Sequence, residues 1–161
     1  MNRTASAFLL VTLLTGLLAA LSIAVEIKGY AFGALGTARL DGLANAATFI
    51  PLAAIYAFSA VLMMLLPLRA AGFVMANAAT PVYSAGLVLL ATIVGVQAAR
   101  FAFGNYGALR VLLDWQFLFA FGIIAAHLSM NALRRNVLLR TIFLVVFVAA
   151  TLACLYWTFR L

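Results

Sequence analysis

Acidic residues are almost missing from this chain: Glu26, Asp41 and Asp114 are the only three among 161 positions. Charged residues of both signs reach 8%, against 68% hydrophobic residues. The mean hydropathy is +1.23. A soluble domain is about one-quarter charged. A chain this short cannot bury so much apolar surface in one core, because small domains hide only part of what their chain exposes. The remaining solvent must be lipid.

Cysteine and histidine are equally scarce. The single Cys154 excludes an intramolecular disulfide and any Cys-pair redox motif. The single His127 excludes a Cys/His zinc cage or a bis-His haem built within the chain. There is no Gly-rich phosphate loop, no Ser-centred nucleophile motif and no metal-ligand spacing. No cofactor is expected.

Basic residues are present, and the net charge is +7. They stand singly between apolar runs instead of clustering on one face, so nucleic acid is not the expected partner. They read as juxtamembrane anchors and topology determinants beside a lipid bilayer. Arginine supplies nine of the ten bases and alanine is abundant, which fits GC-rich coding and a bacterial source; with the apolar composition, the expected location is the bacterial cell inner membrane.

An α-helical span needs about 20 apolar residues. Five stretches meet or approach that length: residues 5–27, 43–66, 80–99, 112–133 and 137–157. The expected fold is all-α, a polytopic bundle of five transmembrane helices forming one integral membrane domain over residues 1–161. Ser22-Ile23-Ala24 after an apolar run resembles a signal-peptide cleavage site, and cleavage of residues 1–24 would leave four spans. The run exceeds a usual signal core, so a retained helix is expected. Pro81 suits the first turn of the third span, where its missing N–H costs nothing. Pro51 falls inside the second span, where lipid-embedded helices tolerate it and Thr48 can serve a freed carbonyl.

Connections are short, with a Gly-Asn turn signal in Arg100–Arg110 and a tight Arg134-Arg135-Asn136 hairpin. With five spans the bases divide five against five between the two faces. The dense Arg134, Arg135 and Arg140 cluster favours the cytoplasmic side, which places the N-terminus inside. All three acids then fall on the outer face.

Ionisable groups in a membrane are functional candidates because burying them is costly. Glu26, Asp41 and Asp114 are the candidates for acid–base chemistry. Helix capping and interfacial pairing explain them with less, since Asp114 opens a helix and complements its dipole. Helical spacing aligns Thr15, Ser22 and Glu26 on the first span, and Asn45, Thr48 and Tyr56 on the second. Gln116, His127 and Asn131 share a stripe on the fourth, with Asp114 nearly opposite. These residues are candidates for binding, or for hydrogen-bonded helix packing. Small-residue pairs (Ala53/Ala57, Ala91/Gly95/Ala99, Gly122/Ala126, Ala149/Ala153) permit close helix approach. Tyr30, Tyr106, Trp115, Tyr156 and Trp157 gather at expected span ends as an interfacial aromatic belt.

The leading expectation is a structural or accessory subunit of a membrane assembly or homo-oligomer. Its alternatives are a small-solute or ion carrier or channel using the polar stripes, and a membrane enzyme using the outer-face carboxylates.

Overall fold

A computed structural model describes residues 3–30, 44–66 and 80–159. The described residues are helical throughout their ordered elements: α1 (Arg3–Ile27), α2 (Ala46–Leu65), α3 (Thr80–Ala102), α4 (Gly107–Leu112), α5 (Trp115–Leu128), α6 (Met130–Leu133) and α7 (Val137–Phe159). No strand occurs among them. Four helices are long and apolar enough to cross a membrane: α1, α2, α3 from Ser84 onward, and α7. The fifth apolar helix, α5, is shorter, at 14 residues.

The fourth expected span differs from a continuous 112–133 helix. Its start moves to Trp115, because the preceding short helix closes at Leu113, whose N–H bonds Leu109 O at 3.0 Å, and Asp114 is not helical. At about 1.5 Å per residue, 14 residues cover only about 21 Å of a hydrocarbon core near 30 Å. The helical path nonetheless continues past α5. The Ser129 N–H bonds both Ala125 O at 3.1 Å and Ala126 O at 3.2 Å, and α6 follows directly.

Two helix ends show why the chain turns where it does. At the end of α1, Tyr30 N–H bonds Val25 O and Gly29 N–H bonds Glu26 O; at the end of α3, Asn105 N–H bonds Arg100 O and Gly104 N–H bonds Phe101 O. Both are the paired closing bonds that satisfy a helix's last carbonyls, and both need a left-handed residue. Glycine supplies it, with φ of 87° at Gly29 and 89° at Gly104. The expected Gly-Asn turn is therefore present, and α4 follows it.

The described chain divides into two compact units. The first holds residues 1–45 and 87–118, and the second residues 46–86 and 119–161. In the first unit, α1 packs on α3 through small residues. Ala19, Val96 and Ala99 form the buried cluster there, with Ala20 and Ile23 packed against it. In the second unit, α2 packs along α7. The buried face of α2 includes Phe49, Ala53, Tyr56, Ala57 and Ala60; that of α7 is Phe147, Ala150, Thr151 and Cys154. Both follow the three- and four-residue spacing of one helical face. Pro51 lies inside α2, as the sequence requires.

Outward faces stay apolar. Ala19 is the sole buried residue of α1, and Leu13, Leu17 and Leu21 on it are about two-thirds exposed, at 65%, 67% and 64%. In water such a surface would aggregate; in a bilayer it is ordinary lipid contact.

Candidate functional site

Three polar constructions occupy the described helices. The first is a buried aromatic pair in the second unit. Tyr56 on α2 and His127 on α5 are both fully buried. Their rings meet edge to face, with centroids 5.4 Å apart and an interplanar angle of 85°. The Tyr56 hydroxyl accepts a hydrogen bond from Gly86 N–H at 3.0 Å. Tyrosine fits here because its ring fills a core position while its hydroxyl finds a main-chain partner. Glycine at 86 is required for that approach, since a Cβ there would collide with the Tyr56 hydroxyl and lie 2.8 Å from Cε2.

The second construction caps α2. The Arg134 Nη2 donates to Leu66 O at 3.0 Å, and the Arg140 Nη2 donates to Met64 O at 2.8 Å. The last carbonyls of a helix have no intrahelical donors and carry its partial negative charge, so cations suit them. Burial and then the neighbouring Arg140 charge push Arg134 below the ordinary guanidinium range. The group stays cationic all the same. Asn136 shapes the adjoining hairpin: its Oδ1 accepts from Leu138 N–H at 3.0 Å and its carbonyl from Arg140 N–H at 2.9 Å, which starts α7.

The third is the crossing of α1 and α3 in the first unit. Thr15 Oγ1 donates to Val11 O at 2.8 Å and approaches Thr12 O at 3.2 Å, so its hydroxyl is served by its own helix. A Cβ at Gly95 would collide with Thr15 Oγ1 and lie 2.6 Å from Thr12 O and 2.8 Å from Gly16 N.

The acids stand apart from these. Asp114 is exposed and its Oδ1 accepts from Gln116 N–H at 3.1 Å, the bond of an N-cap residue, with α5 beginning at Trp115. Glu26 is exposed in the last turn of α1, and Asp41 lies outside the described residues. No group of three or more His, Cys, Asp or Glu side chains able to hold a metal ion occurs among the described residues.

Of the other candidates, Ser22, Thr48 and Gln116 are half-buried and Asn45 is exposed. Asn131 lies within α6, and its side chain falls outside the described set. The aromatic residues Tyr30, Tyr106, Trp115, Tyr156 and Trp157 are all exposed near helix ends. Among these candidates, the structure brings together Tyr56 with His127. Asp114 meets the Gln116 main chain at a helix start.

Sequence reasoning missed Gln97, a polar residue only 2% exposed on α3. Its signal was available, because Leu90, Ile93 and Gln97 repeat at helical spacing and all three are buried. It also missed the capping role of Arg134 and Arg140, which no spacing rule encodes because the capped carbonyls lie about 70 residues away, at separations of 68 and 76.

The capping geometry sets a specific expectation for Asp114. Asp114→Ala should lower stability by about 1 kcal/mol, the usual cost of a lost N-cap. Asp114→Asn, which keeps the acceptor, should stay within a few tenths of that reference. Thermal unfolding in detergent measures both, and an equal loss in the two variants would mean that the carboxylate charge, not the cap, matters.

Comparison of the chain with protein-family models, curated proteins and solved structures finds no match.

Proposed function

We propose that this chain is a small multi-pass subunit that packs beside other membrane subunits, or beside copies of itself, in a bacterial inner membrane, with its N-terminus on the cytoplasmic side. The observation that supports this reading most is the use made of the polar groups. Tyr56 secures the main chain at Gly86, Arg134 and Arg140 cap α2, Asp114 caps α5, and the Thr15 hydroxyl bonds its own helix. Each holds the fold together. The outward Leu face of α1 is free to meet lipid or a neighbouring helix.

The test is a photo-crosslinking residue at Leu13 or Leu17 in intact membranes. A discrete protein adduct, whether a second copy or another subunit, supports the reading; adducts with lipid alone at both positions overturn it. Fusions of periplasm-active and cytoplasm-active reporters to the loop positions test the orientation.

A second reading, a small-solute or ion carrier, has one specific support: a histidine buried against Tyr56 within apolar helices, where ionisable groups are costly to keep. Liposome uptake separates the two. A flux that His127→Phe abolishes while the helices stay folded favours the carrier, and an absence of any flux favours the subunit. Glu26 and Asp114 give the enzyme reading no comparable support.

A further inference from the structure

Histidine is the side chain whose charge ordinarily changes between pH 5 and 8, and this chain has one, His127. It stands on α5 in the second unit, at 0% exposure. Its own helical face is apolar: Ile124 lies one turn before it and Met130 one turn after, and both are buried. From α2, Tyr56 meets it edge to face, with ring centroids 5.4 Å apart.

A proton on this imidazole would find no counter-charge. Residues 46–86 and 119–161 hold no aspartate or glutamate, and every formal charge they carry is an arginine: Arg69, Arg134, Arg135, Arg140 and Arg160. Tyr56, which faces the imidazole, and Cys154, on the buried face of α7, are neutral types that add no negative charge. Both described carboxylates, Glu26 and Asp114, are exposed. Two effects then compete. The Tyr56 ring can attract a cation through its π face. A buried ion gives up its hydration shell, and that loss is larger than one ring returns. Repulsion from the arginines of the unit adds to the loss.

We propose that His127 makes the second unit acid-sensitive: uptake of a proton parts α5 from α2 at Tyr56, and its release closes the contact again. The sign follows from proton counting. The closed state holds a neutral imidazole and the opened state binds one proton more, so stability is full at neutral pH and falls as acid is added. The device is independent of the subunit and carrier readings, since it needs neither a partner nor a flux.

The experiment follows unfolding of the purified full chain in neutral detergent between pH 7.5 and 5. The unfolding equilibrium constant should rise about thirtyfold, tenfold for each pH unit below an ordinary histidine value of about 6.5. His127→Phe, and His127→Asn as a polar second variant, should remove that rise. The unsubstituted protein supplies a check that needs no variant to fold: the NMR signals of the lone imidazole and of the Tyr56 ring should change together as the pH falls. A stability that ignores pH, or an equal acid dependence in a histidine-free variant, overturns the switch. So does an imidazole that takes up its proton while the contact with Tyr56 persists.

Discussion

Gly95→Ala is expected to destabilise the protein by about 1 to 3 kcal/mol, the cost of forcing a methyl group into packed contact. The opposing effect is real: replacing glycine by alanine inside a helix ordinarily gains about 1 kcal/mol. Geometry decides the sign. The new Cβ would lie 2.6 Å from Thr12 O and 2.8 Å from Gly16 N, and it would also collide with the Thr15 hydroxyl. Two of these are main-chain atoms of the facing helix, so no side-chain rotation relieves the overlap. The α1 backbone itself must move, and Ala19, Val96 and Ala99 lose contact with it. Gly95→Leu should cost more. Gly122→Ala is the matched control, since a Cβ there meets nothing within 4 Å. It should gain about 0.5 to 1 kcal/mol through helix propensity alone. Unfolding followed by circular dichroism in one detergent compares the pair. If alanine at 95 stabilises as alanine at 122 does, the close α1–α3 crossing is wrong.

Tyr56→Ala is expected to cost about 3 to 5 kcal/mol, the range for truncating a buried aromatic ring. Lipid does not remove this penalty, because the lost ring leaves a void inside the helix packing, where contacts disappear outright. The hydroxyl accounts for the smaller part. Tyr56→Phe should cost about 0.6 kcal/mol and at most about 1.7, as interhelical hydrogen bonds in membranes do. Gly86 provides the decisive cross-check. Gly86→Ala alone is destabilising because Tyr56 occupies the space; in a Tyr56→Ala background that penalty should vanish. Contacting residues show such non-additivity, whereas independent sites add. Additive losses at 56 and 86 would sink the contact, and with it the argument that this part of the core is organised around the tyrosine. The His127 ring, edge-on to Tyr56, should report the same change through its NMR shifts.

The small-residue pairs show where reading from sequence stops. Four of them look alike on paper. Ala53/Ala57 lie wholly buried on α2, and Gly95 with Ala99 builds the crossing with α1. Gly122 is exposed on α5, and Ala149 and Ala153 are exposed on α7, whose buried face is Phe147, Ala150, Thr151 and Cys154 instead. In lipid both faces of a helix are apolar, so hydropathy carries no information about which face meets protein. Small size permits close approach but does not cause it. The same ambiguity covers the polar stripes: Thr15 follows helical spacing with Ser22 and Glu26, yet its hydroxyl bonds Val11 O and its side chain abuts Gly95.

Composition and run length were enough to determine that the described residues form apolar helices and no strands, with four long enough for a bilayer, because backbone polar groups in hydrocarbon must be satisfied within each segment. They also determined that ionised groups lie near helix ends and that Asn136 and the glycines after α1 and α3 mark turns. Tertiary structure alone decided which residues face each other: Tyr56 with His127 and Gly86, Arg134 and Arg140 with the end of α2, and Gly95 with Thr12 and Gly16. These pairings join positions far apart in the chain, and a helix's own periodicity says only that a face exists, not what lies against it.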